Sequence, residues 1–538
     1  MRNVSVLVAG GGPVGLTLAR DLARRGIDCM LVERNTHTTR HPKMDNTNVR
    51  SMELFSLAGI EAELRAVAVP ESHPFDVSWV TTMTGHELKR FVLPSPERAR
   101  RVYREVNDGT QPYVPPMRVS QVEIEPVLKT AAEVESLAEL RFGVALVDLT
   151  EDEAGVTATL RDTDTGATEQ VRCLYLAGCD GGGSTVRQAL AVGLDGRANI
   201  MPRFMTHFRT DDPEAKALLQ RWGMTWHYQS IHGTLIAQND VDTWTLHTRY
   251  PENQTDGAAP EELVARFAGR PIPMEVLVAN PWSPHLLVAQ SAGTDRVLLA
   301  GDAGHQYIPT GGYGMNTGIG DAFGLGWALA AVLKGFGGPK LLQAYKDERR
   351  PVWQRNCEAS GRHNRVRGEA AQLYGPDLEA SGSGGEQARA FAVAELTRLG
   401  NAEAESLGIE MGYHYAGSPT IAAEPSADIP QDPERYVLNT VPGGRLPSLY
   451  LEDGRAVYEL LGRWFTLLAF GDADTTGAEK VATVRNIPLK VVRIADIQAR
   501  AIYAADLLLV RPDQHIAWRG SGLDEAGAAQ VLAMATGW

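Results

Sequence analysis

A chain of 538 residues is several times the usual domain length, so two or three domains with enough core to enclose a large cofactor are expected. Its 43% apolar and 22% charged residues are ordinary for a soluble globular protein, and no apolar run approaches the roughly 20 residues needed to span a bilayer, so no membrane partner is expected. A net charge of -14 argues against nucleic acid as a partner, and Cys29, Cys173, Cys179 and Cys357, with no CxxC pair or grouping with histidine, fit a reducing cytoplasm with neither disulfides nor a metal site.

The first elements predict a βαβ start. Residues 4–9 are rich in β-branched side chains, 13–25 have the apolar spacing of a helix, and 27–32 form a second strand ending at Glu33. Between strand and helix lies Gly10-Gly11-Gly12-Pro13-Val14-Gly15, a GxGxxG loop with its glycines at 10, 12 and 15. Missing side chains permit a tight turn and let a pyrophosphate approach backbone N–H groups at a helix N-terminus, whose dipole favours the anion. Glu33 stands where a carboxylate accepts hydrogen bonds from ribose hydroxyls. These features alone allow NAD or FAD.

Farther along, residues 51–58 and 122–137 are predicted helical, and 140–149 and 155–160 alternate as a small sheet joined to the first domain. A strand over 171–177 leads into GCDGGGSTVR. Residues 201–288 carry strand patterns with many aromatics and histidines and read as a separate substrate domain, with Trp226, His227 and Trp244 as candidate substrate contacts among Tyr228 and His247. The buried-strand pattern RVLLAGDAGH at 296–305 and a helical pattern over 321–333 then complete the first domain. Glycine, serine, proline and acidic residues mark flexible connections over 368–385 and 418–433. The final hundred or so residues, with apolar runs at 464–469 and 507–510 and the turn Arg511-Pro512-Asp513, read as a small α/β unit.

Gly178-Cys179-Asp180-Gly181-Gly182-Gly183-Ser184-Thr185-Val186-Arg187 and Gly301-Asp302-Ala303-Gly304-His305 resemble, in chain order, the DG and GD motifs of the flavoprotein aromatic hydroxylases. Residues 296–350, with Pro309, the glycine-rich 311–318 and Glu348-Arg349-Arg350-Pro351, resemble that family almost throughout. Pro442-Gly443-Gly444-Arg445-Leu446-Pro447 and residues 510–513 resemble the thioredoxin-like C-terminal domain of the larger phenol hydroxylases, although without CxxC no redox work is expected there. The chain thus resembles the FAD-dependent aromatic hydroxylases (group A flavoprotein monooxygenases) of the para-hydroxybenzoate hydroxylase superfamily, in the phenol and chlorophenol hydroxylase-like branch.

The resemblance implies an α/β fold: a discontinuous Rossmann-type FAD-binding domain (1–180 and 290–370), an inserted mixed β-sheet substrate-binding domain (181–289), a helical connection and linker (371–425) and a thioredoxin-like domain (426–538). It implies that Gly10, Gly12, Pro13, Gly15 and Glu33 hold FAD, that Asp302 bonds its ribityl chain, and that Gly312, Gly314, Met315 and Asn316 face the pyrimidine end, where helix-start N–H groups stabilise negative charge. Asp180 is implied near the pyrophosphate and nicotinamide route, Gln121 (after Arg118) beside FAD, and Arg34 as a nicotinamide contact. Lys43 and Met44 stand where many relatives carry Arg-Ala beside a mobile flavin; lysine keeps the charge but not the planar fork.

Asp45 aligns with an aspartate placed near the substrate hydroxyl, with Arg50 matching in register, and is expected to accept or orient the phenolic proton with a pKa raised by an apolar cavity. The carbonyl of Pro309 is implied to orient the ring. The implied activity is hydroxylation of a small phenolic aromatic through a flavin C4a-hydroperoxide, with NADPH or NADH as transient co-substrate and dioxygen as oxidant, by a homo-oligomer, most readily a dimer. The alternatives are a flavoprotein oxidoreductase of another class, or a non-catalytic flavin-binding protein acting on a natural-product intermediate.

Overall fold

In the computed structural model, which describes residues 2–249, 259–424, 429 and 431–538, the strand Arg2–Ala9 lies inside a seven-stranded sheet. It pairs in parallel with Cys29–Glu33 and with Thr168–Gly178; Ala138–Phe142 and Val297–Leu299 extend the parallel set on either side. Parallel strands joined by crossovers must bury both faces, and Val6, Leu7 and Val8 are fully buried. The expected run over 140–149 is two strands. Gly143, at φ +77, breaks it, so that Val144–Asp152 pairs antiparallel with Gly155–Asp162.

Helices Pro13–Arg24 and Tyr313–Leu333 pack against each other on this sheet. The second begins at Tyr313, well before residue 321, although YGMNTGIG is poor in helix formers. Close packing requires those glycines: a Cβ on Gly318 would lie 2.5 Å from Val14 Cγ2, and one on Gly326 2.4 Å from Asp21 Oδ2. Tertiary contact overrides propensity here.

A second seven-stranded sheet runs in the order Glu275–Trp282, Arg203–Arg209, Thr243–Arg249, Gly233–Ala237, His227–Ser230, Val77–Val80 and Glu87–Phe91. The last two strands come from the segment expected to belong wholly to the first domain. They join the middle sheet because Val77–Val80 is buried and pairs in parallel with His227–Ser230. One face of this sheet packs Phe208, Leu235, Trp244 and Leu246 against helix Pro260–Ala268. Residues 250–258 of the expected substrate domain and 425–428 and 430 near the expected linker lie outside the described residues.

The expected flexible stretch at 368–385 is largely ordered. Gly368 lies inside helix Lys340–Ala371, and Gly382–Leu399 forms the next helix, which with Leu378 packs on Trp79 and Leu88. The C-terminal unit is a four-stranded sheet in the order Leu489–Ile494, Phe465–Phe470, Leu507–Val510, Ile516–Gly520, with helices Thr476–Val484, Ile497–Tyr503 and Glu525–Ala535. Buried ion pairs fasten it to the first domain: Arg445 to Glu53, and Arg511 Nη1 to Glu348 Oε1 at 2.6 Å. Arg50, which matches the family pattern in register with Asp45, serves this seam; its Nη2 donates to Asp513 O at 2.5 Å and its Nε to Tyr413 OH at 3.2 Å.

Candidate active site

A cavity of about 770 Å³ runs from the first glycine loop to the inner face of the second sheet. The expected residues Gly10, Gly12, Pro13, Glu33, Arg34, Lys43, Met44, Asp45, Gln121, Asp180, Asp302, Pro309, Gly312, Gly314 and Met315 all line it. Residues that lie about 300 positions apart in the chain, from Gly10 to Met315, therefore meet around one space. Gly15, Arg118, Asn316, Trp226, His227 and Trp244 do not line it.

The three glycines of the first loop answer to different constraints. A Cβ on Gly10, at φ +109, would lie 2.2 Å from Cys179 O, and one on Gly15 would lie 2.0 Å from Gly10 O. Protein backbone forbids both. Gly12 has an ordinary φ of -78, and a Cβ there would meet nothing within 4 Å, so the space it leaves belongs to the cavity. Helix Pro13–Arg24 has no side-chain cap, which leaves first-turn N–H groups for a ligand, and Pro13 at its start lacks only an N–H that would have no helical partner. Glu33 Oε2 accepts from Gly11 N at 2.7 Å, and Oε1 accepts from Asn35 N at 2.9 Å and Asn35 Nδ2 at 2.6 Å, which fixes the carboxylate beside the loop and leaves a lone pair on Oε2. This cradle fits the pyrophosphate and ribose of FAD.

At the other end, Gly301 turns at φ +60 and donates its N–H to Asp321 Oδ2 at 2.9 Å. Asp321 also accepts from His305 Nε2 at 3.2 Å, Arg349 Nε at 2.7 Å and Trp353 Nε1 at 2.9 Å. Burial pushes its carboxyl up, but the Arg349 charge and the His305 hydrogen bond outweigh this and hold it below the usual carboxylate range. Asp321 was not singled out in the sequence; its only signal was its place in the family-like stretch. The hub sets the turn that leaves the Asp302 side chain exposed in the cavity, free of hydrogen bonds among the described residues.

Helix Tyr313–Leu333 starts from Gly312, at φ +66, with no side-chain cap, and a Cβ on Gly314 would meet nothing within 4 Å. A second uncapped helix start thus opens on the same space. Asn316 acts behind it: Nδ2 donates to Gly312 O at 2.7 Å and Asn46 O at 3.0 Å, and Oδ1 accepts from Asn48 N at 3.0 Å, binding the 46–48 loop to the helix. Asp180 accepts from Ser184 Oγ at 2.5 Å and Val186 N at 3.1 Å, so it also holds the start of helix Thr185–Ala189. Gln121 Nε2 donates to Glu125 Oε1 at 2.7 Å.

Arg118 is spent elsewhere. Its guanidinium donates to the carbonyls of Pro74, Met224 and Thr225 at 3.1, 3.2 and 3.0 Å, and burial pushes its pKa down to about 10. Trp244 is a second correction to the expected set: it is buried and stacked on Phe208 at 6.2 Å. Strand alternation sends His247 to the opposite face, into the cavity, where burial pushes its pKa down to about 4. Across the strands, Met205 pairs with both His247 and Asn280, and these three with Trp282 form a wall of which the sequence points to His247 alone. Finding it required the register.

Asp45 lies between this wall and the helix start. Its Oδ2 accepts from Trp226 Nε1 at 2.5 Å and from His227 Nε2 at 3.0 Å, so those two residues support the carboxylate without lining the cavity. The expected rise in its pKa is reversed. Burial does push the carboxyl up, but the His227 hydrogen bond and charge, with the Trp226 hydrogen bond, leave it below its ordinary value. No helix among the described residues is long and apolar enough to cross a membrane.

Residues 3–360 match the family model described as FAD binding domain, and residues 439–538 that of the aromatic-ring hydroxylase C-terminal region. The FAD-dependent monooxygenase apdD of Emericella nidulans is 36% identical over 567 aligned residues, covering 99% of this chain and 90% of that protein. The tetracenomycin B2 monooxygenase-dioxygenase of Streptomyces olivaceus is 32% identical, covering 96% of this chain and 95% of its own. Among solved structures, the rebeccamycin biosynthetic enzyme RebC with reduced flavin matches with a TM-score of 0.88 at 32% identity, covering 100% of this chain and 99% of that one. The protein therefore belongs to the FAD-dependent aromatic-ring hydroxylases, a family of flavoprotein monooxygenases.

Proposed function

We propose that this enzyme hydroxylates a phenolic aromatic ring, with NADPH or NADH as electron donor and dioxygen as the source of the inserted atom. The observation that carries this reading is Asp45, a carboxylate held at the cavity wall between the Gly312 helix start and the His247 face. The N–H groups of the first loop would take the pyrophosphate, Glu33 the ribose and Asp302 the ribityl chain, while Gly312 to Met315 would face the pyrimidine end. Bound FAD supplies the electron-transfer and oxygen-transfer chemistry.

The protein's own share is placement. Asp45 takes the substrate hydroxyl, and the Pro309 carbonyl, which already accepts Gly312 N at 2.9 Å, keeps a lone pair for the ring side. Met205, His247, Asn280 and Trp282 flank the ring and exclude water. The βαβαββα order of the C-terminal unit supports reading it as thioredoxin-like. A second reading, a flavoprotein of another reaction class or a non-catalytic flavin binder for a natural-product intermediate, rests on the likeness to RebC. The test is a screen of phenols for substrate-stimulated NAD(P)H oxidation with oxygenated product measured against peroxide. Ring oxygenation supports hydroxylation; nicotinamide-independent conversion supports another reaction class, and flavin binding with no conversion supports a non-catalytic binder.

A further inference from the structure

The support of Asp45 has an unusual local construction. Trp226 and His227 are neighbours in sequence, and regular strand geometry would send their side chains to opposite faces. Here the backbone N–H groups of both donate to the same carbonyl, Asp76 O, at 2.8 and 3.3 Å, and the two rings lie 4.2 Å apart at 33°. The side chains therefore converge on one atom, Asp45 Oδ2. The backbone of Asp45 is also fixed: its carbonyl accepts from Val119 N at 3.0 Å. Oδ1 has no hydrogen-bond partner among the described residues, and Asp45 lines the cavity.

We propose that Trp226 and His227 are positioning residues that keep Asp45 a carboxylate with Oδ1 as its single open acceptor, so that the site selects the protonated hydroxyl of a phenol over its phenolate. This rests on the proposed ring-hydroxylating function. The hydroxyl keeps its proton and donates it in a charge-assisted hydrogen bond, which enriches the ring in electrons without proton transfer. A phenolate would bring a second negative charge against Oδ1 and lose that bond. The other groups facing this carboxylate do not replace its charge. His247, from Thr243–Arg249, is held neutral by burial near neutral pH, and the Arg118 guanidinium is engaged by four backbone carbonyls, those of Pro74, Met224, Thr225 and Ala237. Beyond His227, Glu403 is paired with Arg367 at 2.6 Å.

The experiment titrates 4-nitrophenol, whose coloured anion reports its ionisation, bound to the FAD-loaded full-length enzyme in the absence of nicotinamide. The wild type is expected to raise the midpoint of the bound probe by about one pH unit or more, a tenfold preference for the neutral form. Asp45→Asn removes that preference. His227→Leu, which leaves burial to protonate Asp45, loses most of it, whereas His227→Gln retains an N–H donor and most of the effect; Trp226→Phe weakens it. A bound probe that ionises at or below its free midpoint in the wild type overturns the proposal. So does a His227→Leu profile identical to wild type, or a probe that binds no tighter than nitrobenzene. Because the readout needs no turnover, its failure is distinct from failure to find an oxygenated product.

Discussion

Asp321→Asn removes one charge from a fully buried carboxylate that gathers Gly301 N, His305 Nε2, Arg349 Nε and Trp353 Nε1. Its main cost is the Arg349 guanidinium, 2% exposed, left without its counter-charge. Breaking a buried pair from one side costs about 3–5 kcal/mol. Arg349 keeps the Thr317 carbonyl at 3.1 Å and Tyr415 OH at 2.9 Å, which places the loss near the lower end, about 3 kcal/mol. The GD turn loosens with it, because the Gly301 N–H loses a charged acceptor worth about 1.5–3 kcal/mol, and FAD affinity falls roughly tenfold or more. Urea unfolding and flavin-fluorescence titration read the two effects separately. The folded Asp321 pKa is lowered, so its contribution is present above the unfolded carboxyl pKa of about 4 and is lost as pH falls through the folded value. The gap between wild type and variant should thus hold from pH 8 to about 5 and close only in more acid solution. A loss under about 1 kcal/mol, or a gap that closes between pH 8 and 6, refutes this account of the hub.

Gly12→Ala is expected to leave the stability of the flavin-free protein within about 0.5 kcal/mol of wild type while weakening FAD at least tenfold, because its Cβ meets only the cavity. Gly10→Ala, which sets a Cβ 2.2 Å from Cys179 O, should damage both; equal FAD affinity for Gly12→Ala and wild type would contradict the pyrophosphate assignment. Trp244→Ala should cost about 3–5 kcal/mol in thermal or urea unfolding and leave the KM for a phenolic substrate within twofold, as fits a core residue. A large KM effect without loss of stability would return it to the ring site.

Local signals carried the cofactor end of the site. The GxGxxG loop, Glu33 and the GD turn are each short chain segments whose chemistry follows from their own residues, and each contributes residues to the cavity lining. The ring end depends on pairing between distant segments. Trp244 and His247 look alike as aromatics on one strand, and only the packing of the sheet decides which of them meets the core. The direction of the Asp45 shift was likewise hidden, because the donors that reverse it lie 181 and 182 positions away in sequence. Arg50 stands in register with a ring-site pattern, yet the fold carries it to the C-terminal seam, where Asp513 O and Gln514 Oε1 accept its guanidinium.

The most direct test of the central claim is single-enzyme turnover of FAD-loaded protein with NADPH or NADH across a set of phenols under isotopically labelled dioxygen, with Asp45→Asn alongside. The account predicts a hydroxylated ring carrying one labelled oxygen, formed with stoichiometric nicotinamide oxidation and largely replaced by peroxide in the variant. Nicotinamide oxidation that yields only peroxide for every phenol, or full coupling in Asp45→Asn, would contradict it.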